Sequence, residues 1–369
     1  MLGKPRRLAL LAEGRFTPFD AKTAVGVLRY RAVEVAAVID STRAGRDAAA
    51  CVGVGGAVPV VADLAGAAAL GADSLLIGVA PQGGTLPAPW RATVRAALER
   101  GWDVLSGLHE FLADDPELAA CARASGARLV DVRRPPGSRR IAAGRAAGVE
   151  STVVLTVGSD CNVGKMTAAL ELCEALAAAG EPAAFVATGQ TGVFIADRGV
   201  VVDAVVADFV AGEVEALVLE AAAESDLVVV EGQGALHHPA YSGVTLALLH
   251  GACPAAMVLC HQAGRDRIRV GVADEAGWPI TPLPSLIAAY EAAAAWLRPA
   301  PVVGVALNTL GLDEAAARAA CERAARETGL PATDPVRFGA APLAAAVRAV
   351  AGARRFAAPR ARRSRATSA

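Results

Sequence analysis

Between Val153 and Leu170 the chain reads VVLTVGSDCNVGKMTAAL: an apolar, β-branched run that ends at Gly158, a short loop, and an Ala/Leu-rich stretch opened by Gly164-Lys165-Met166-Thr167. A loop of this kind, set between a strand and a helix, turns successive backbone N–H groups inward, and the helix adds the positive end of its dipole. Lys165 brings a mobile cation to the same place. Gly158, Ser159, Asp160, Cys161, Asn162, Val163, Gly164, Lys165, Met166 and Thr167 are therefore the candidates for holding a polyphosphate group. The pattern departs from the usual G-x-x-x-x-G-K-[ST] phosphate loop. Ser159 stands where the first glycine is expected, and Met166 where a metal-binding hydroxyl is expected, with Thr167 one place later.

Further reactive side chains follow at the ends of apolar runs, where ligands sit in open α/β sheets. After Val186-Ala187 come Thr188, Gly189, Gln190, Thr191 and Gly192, whose hydroxyls, amide and small residues suit close contact with a polar substrate. After Leu227–Val230 comes Glu231, an acid at a strand end. Such a carboxylate holds Mg²⁺ with a loop hydroxyl such as Thr167, or accepts a proton from an attacking amine. His237, His238 and Tyr241 follow within ten residues. The two adjacent histidines point in different directions, so one at most faces the site, and His238 is the candidate. Arg265, in His261-Gln262-Ala263-Gly264-Arg265, is suited to a carboxylate or phosphate. Asn308-Thr309 ends the last strand candidate, a place for purine-recognising side chains. Asp160 would repel a polyphosphate if it faced one, so it faces a metal, an amine or the structural side of the loop. Cys161 is either a small side chain facing away from the phosphates or a thiol activated by the helix N-terminus. Asp208 is read as a helix N-cap, with Asp197 and Asp203 just before it.

These residues need a scaffold, and the chain has one to offer. At 369 residues it is long enough for two domains. Short apolar strands (Leu8–Leu11, Val33–Ile39, Ser74–Val79, Asp103–Ser106, 128–131, then Val153–Val157, Ala183–Ala187, Leu227–Val230, Ala256–Cys260, Val302–Leu307) alternate with helical stretches. Alternation of this sort means α/β domains, each a mostly parallel sheet flanked by helices. The expected organisation is a Rossmann-like domain over 1–145, a P-loop NTPase-like domain over 146–352 and a disordered basic tail over 353–369. The turn after the first strand, Ala12-Glu13-Gly14-Arg15-Phe16-Thr17, lacks the G-x-G-x-x-G fingerprint, so a dinucleotide is not the expected ligand there.

The composition is 54% hydrophobic and 20% charged, with a formal net charge of −1. A chain this close to neutral gives no sign of nucleic-acid binding. No uninterrupted apolar run approaches the ~18 residues of a membrane span. The seven cysteines include no C-x-x-C pair and read as small buried hydrophobes in a reducing cytoplasm. The expected partners are a small-molecule substrate and further copies of the chain in a homo-oligomer, with no membrane.

The spacing from Gly158 to Lys165 resembles the phosphate loop of dethiobiotin synthetase-type enzymes. A wider resemblance rests on Gly158–Thr167, Ala187–Gly192, Glu231-Gly-Gln-Gly-Ala-Leu-His-His-Pro-Ala-Tyr-Ser242, Leu249-His-Gly251 and Leu259-Cys-His-Gln-Ala-Gly-Arg265. Together these are similar to the DUF1611 family, associated with D-glutamate N-acetyltransferases, and the similarity runs over nearly the whole chain. The resemblance implies acetyl transfer from acetyl-CoA to the amine of D-glutamate or a related D-amino acid, with no metal. The CoA phosphates would lie on the phosphate loop. Glu231, His238 or Asp160 would take the amine proton, Lys165 or loop N–H groups would hold the oxyanion, and Arg265 would hold a substrate carboxylate. Two alternatives stay open. One is Mg-ATP-dependent activation of a carboxylate, with Thr167 and Glu231 on the metal. The other is a nucleotide-binding regulatory module without turnover.

Overall fold

The computed structural model describes residues 6–80, 83–268 and 277–357. In chain order the first part runs β1 (Leu8–Leu11), α1 (Lys22–Tyr30), β2 (Val35–Ile39), α2 (Ala48–Val52), β3 (Val60–Val61), α3 (Leu64–Ala69), β4 (Ser74–Ile77), α4 (Arg91–Glu99), β5 (Asp103–Ser106), α5 (Pro116–Ser125) and β6 (Leu129–Asp131). The second runs β7 (Thr152–Gly158), α6 (Lys165–Ala178), β8 (Ala184–Val186), α7 (Gln190–Ala196), α8 (Ala207–Glu224), β9 (Leu227–Val230), α9 (Ser242–Ala252), β10 (Ala256–Gln262), α10 (Leu283–Ala295), β11 (Val302–Asn308), α11 (Glu314–Thr328), β12 (Ala332–Thr333) and α12 (Ala341–Ala357).

Two parallel sheets result, each of six strands. Their orders are β3-β2-β1-β4-β5-β6 and β12-β11-β10-β7-β9-β8. The strands are buried on both faces, which is why they read as unbroken apolar runs rather than alternating ones. Several helices start on a side-chain cap. Asp47, Asp63, Asp115 and Asp313 accept the N–H groups of Ala50, Gly66, Leu118 and Ala316. Helix α6 starts differently, at Gly164, with φ 106° and no side-chain cap. Its first-turn N–H groups have no intrahelical acceptor.

The first unit takes in the chain up to Ser138 and, in addition, Ala187–Val205. Its strand order is that of a doubly wound dinucleotide-binding sheet. The acid at the end of β2, however, is used internally. Asp40 is fully buried and accepts from Gly14 N, Phe16 N, Thr42 N and Thr42 Oγ1 at 2.6–3.2 Å. It shapes the turn after β1 and has little left for a ribose. The expected start of β2 at Val33 moves to Val35, because Ala32–Glu34 form a 3₁₀ turn that leaves Val33 exposed.

The second unit comprises Arg139–Val186 and the chain from Val206. On one face of its sheet, α6 and α12 share a core built from Ala168, Ala169, Leu172, Leu176, Leu343, Ala344 and Val347 over Val154, Val229, Val258 and Ala306. These boundaries differ from the expected break at 145, and for a physical reason. Residues after Arg139 are strapped onto α8. A Cβ on Gly212 would lie 2.0 Å from the Arg140 carbonyl oxygen. The Glu215 carboxylate, 1% exposed, accepts from Ala143 N, Arg145 N and the Arg145 guanidinium. Residues 187–205 join the first unit because Asp197 pairs with Arg31 at 3.0 Å and Asp203 pairs with Arg133. Asp208 lies inside the first turn of α8, whose N-cap is Val206, so it is not the expected cap. The expected tail at 353 is also corrected, since α12 continues to Ala357; the rest of that expectation, from 358 on, falls outside the described residues. Among those described, no helix is long and apolar enough to cross a membrane.

Burial disfavours charge on Glu215, but hydrogen bonds from Arg145 and the backbone outweigh it and hold the carboxyl below its ordinary value of 4.5. A folded-state pKa below the unfolded one stabilises the protein above the unfolded value and ceases to do so as pH falls through the folded value. Glu215→Gln is therefore expected to lower stability at pH 7, and its deficit against the wild type should shrink below pH 4.5. Urea unfolding at pH 7 and pH 3.5 checks this, and an equal deficit at both would refute it.

Candidate functional site

The phosphate loop follows β7, the strand lying between β9 and β10. The sheet therefore delivers the segments after β9 and β10 to either side of the loop. On the β9 side, Gly232 runs flat against β7. A Cβ there would come within 1.7 Å of the Thr156 carbonyl, and Gly232 N donates to Thr156 Oγ1 at 2.9 Å. Only glycine allows that approach. It sets Glu231, 4% exposed, beside the loop, where Gln233 Nε2 donates to its Oε1 at 3.1 Å.

Asp160 takes the structural side of the loop. Its carboxylate is fully buried, with Arg265 Nη1 at 2.9 Å and Cys161 N at 2.6 Å. Arg265 Nη1 also donates to the Cys161 carbonyl at 2.9 Å, so that edge of the guanidinium is committed to the loop. Lys165 is buried, and its Nζ donates to the Asp160 carbonyl at 2.7 Å. Burial lowers its pKa, while Cys161, Cys260, Asp160 and Glu231 oppose that shift. An incoming polyphosphate would supply the anion that favours the ammonium form. Asn162, at φ 57°, and Gly164 bend the loop, and the Asn308 side chain lies near Gly164. Met166 and Thr167 are half-buried in the first turn of α6.

His238 is almost fully buried. Its Nδ1 accepts from Ala240 N at 3.1 Å, and its Nε2 lies 3.8 Å from Asp160 Oδ1. An accepting Nδ1 means that the proton of the neutral ring sits on Nε2, toward Asp160. Tyr241, 49% exposed, stacks on that ring with centroids 4.7 Å apart. The structure thus brings Asp160, Lys165, Glu231, His238, Tyr241 and Arg265 to one loop cluster. The group Thr188, Gly189, Gln190, Thr191 and Gly192 belongs to the first unit, where it opens α7 instead of forming an extended loop. There Thr191 Oγ1 is 3.2 Å from Thr23 Oγ1, and Gln190 packs against Gly107.

Three residues at the loop were not singled out by sequence. His261, at the end of β10, hydrogen-bonds through Nδ1 to Ser159 Oγ at 2.8 Å. Burial, with help from Arg265, pushes its pKa down to about 4, so the ring is neutral near pH 7. Tyr290, fully buried on α10, donates to the Gly158 carbonyl at 2.7 Å and accepts from Leu236 N at 2.9 Å. One hydroxyl thus pins the loop to the segment after β9. A tyrosine in an alanine-rich helix was the only hint of it. His237 is the third. Both of its ring nitrogens are buried and make no hydrogen bond of normal geometry.

A strand–phosphate loop–helix unit joined in one chain to a doubly wound unit defines a two-unit α/β protein of the P-loop type. The DUF1611 model, described as a P-loop domain of unknown function, matches residues 140–344, and its Rossmann-like N-terminal counterpart matches 41–135. The chain belongs to the DUF1611 family. It is 42% identical to a D-glutamate N-acetyltransferase of Tritonibacter scottomollicae over 77% of this chain and 84% of that one. It is 38% identical to a D-glutamate N-acetyltransferase of a Pseudoalteromonas species over 74% and 80%. A crystal structure of a DUF1611 family protein from Anabaena variabilis superposes with a TM-score of 0.88 at 40% identity, covering 93% of this chain and 99% of that one.

Tyr290→Phe strands the buried Gly158 carbonyl and the partly buried Leu236 N–H, which costs about 1–3 kcal/mol. A lower urea midpoint with an unchanged m-value is the expected result, and a midpoint equal to the wild type's would refute the pin.

Proposed function

We propose that the chain is an N-acetyltransferase that moves the acetyl group of acetyl-CoA to the amine of D-glutamate or a related D-amino acid. The observation that carries this reading is the pair of relatives named D-glutamate N-acetyltransferase, 42% and 38% identical to the chain. The loop is compatible with it. CoA carries a pyrophosphate and a 3′-phosphate, and the uncapped first turn of α6 with Lys165 offers N–H donors and a cation of the right kind.

In this reading the residues Gly158–Thr167 hold the donor's phosphates, and Lys165 or loop N–H groups stabilise the charge that develops on the thioester oxygen. The amine must shed a proton to attack. Glu231 is a candidate acceptor, while Asp160 and His238 hold the loop in shape. A carboxylate of the amino acid is assigned to Arg265. The working setting is the cytoplasm, and the working form a homo-oligomer.

One observation favours a second reading. Glu231 is a buried acid at the end of the strand beside the phosphate-loop strand, where ATP-dependent P-loop enzymes hold Mg²⁺. The two readings separate by metal. Acyl transfer to an amine should need acetyl-CoA and persist in excess EDTA, whereas phosphoryl transfer should be abolished by it. The test follows thiol and phosphate release with D-glutamate and each donor. Mg²⁺-dependent phosphate release with no thiol from any amino acid would overturn acetyl transfer.

Lys165→Ala is expected to abolish turnover and to remove the thermal stabilisation that CoA gives the wild type, with the melting temperature of the free protein kept. Glu231→Gln should lose turnover more than donor affinity. A Lys165→Ala protein that binds CoA like the wild type would exclude the loop as the donor's phosphate site.

A further inference from the structure

We infer that His237 is the general base of the proposed acetyl transfer, the group that takes the proton from the attacking amine. The inference rests on the acetyltransferase reading and adds a residue to it. The geometry carries it. His237 sits in the segment between β9 and α9 that Tyr290 pins to the phosphate loop. Its two ring nitrogens are withdrawn from solvent and make no hydrogen bond of normal geometry, with the Ser159 backbone lying near the ring. A buried polar atom left without a partner costs free energy, and in a site a ligand is one group that can complete it.

The neighbouring candidates are engaged. His238 has its Nδ1 lone pair on the Ala240 N–H and its Nε2 toward Asp160. Asp160 is held by Arg265 and by Cys161 N. His261 faces Ser159. Glu231 accepts from Gln233. His237 differs from all of these in that neither ring nitrogen makes a hydrogen bond of normal geometry.

Its surroundings suit the task. Burial lowers its pKa, with Asp160 and the Ser159 backbone opposing that shift and His238 adding to it. The ring is then neutral, and able to accept a proton, at physiological pH. The Ser159 backbone also places the imidazole at the first residues of the phosphate loop.

The proton count closes as follows. The substrate ammonium gives one proton to His237, which releases it to solvent. The free amine forms a C–N bond to the acetyl carbonyl carbon. As the C–S bond breaks, the second nitrogen proton passes through His237 to the departing sulfur, leaving the amide and CoA thiol.

The experiment compares wild type, His237→Asn and His237→Gln for thiol release from acetyl-CoA with D-glutamate, over pH 5–9. The variants should lose about 10²–10⁴-fold in kcat and keep their affinity for CoA. They should also lose the acidic limb of the wild-type pH profile and regain turnover with added imidazole. A merely structural role would not restore rate with imidazole. Variants that keep wild-type kcat and the same acidic limb would overturn the inference and leave the acetyltransferase reading standing. If the wild type acetylates no amine, that reading fails separately. The inference is then decided by the ring NMR signal of His237, assigned by its loss in His237→Asn. A signal unmoved by D-glutamate overturns it, and a shift confined to that one of the five histidines supports amine contact.

Discussion

The second unit is organised around a carboxylate inside its P-loop. Asp160 is fully buried next to donors that would hold phosphate, and an uncompensated charge there would be expensive. Arg265, whose side chain is 8% exposed, compensates it from the segment after β10. The cost of desolvating both ions makes such a pair a poor source of net stability. What it achieves is placement. It fixes the loop against the segment after β10 and holds the acid on the structural side of the loop.

The same loop is fastened at two further points. His261 holds Ser159, and Tyr290 holds Gly158 while also engaging Leu236. These contacts join four separate stretches of chain. The sheet order makes this feasible, because β7 lies between β9 and β10 and their ends flank the loop on both sides. Glycine at 232 lets the β9 exit lie directly on β7, which brings Glu231 and the histidine segment within reach. The first unit uses buried acids in the same manner. Asp40 organises the turn after β1, and Asp131 accepts from Leu112 N and Ala113 N, so both strand-end carboxylates are occupied by the unit's own backbone.

Much of this architecture was legible from local signals. Unbroken apolar runs gave most of the strands. The two-residue strands β3 and β12 were not legible, being too short to carry a period. Helix α7 was hidden behind Gly189 and Gly192, residues that locally favour a loop. The unit boundary was missed because burial of Glu213 and Glu215, not linker composition, decides where the strap belongs.

The sequence by itself determined the phosphate loop, the α/β class, the acid after β9 and the family, because these depend on residue types at short fixed spacings. Which polar groups are consumed within the site was decided only by the tertiary structure. Arg265 and Asp160 are 105 residues apart, His261 and Ser159 are 102 apart, and Tyr290 and Gly158 are 132 apart. No local pattern encodes such pairings, since they depend on which strands become neighbours. Two adjacent histidines, equivalent on paper, therefore end in different states. His238 is bound to the backbone and faces Asp160, while neither nitrogen of His237 makes a hydrogen bond of normal geometry.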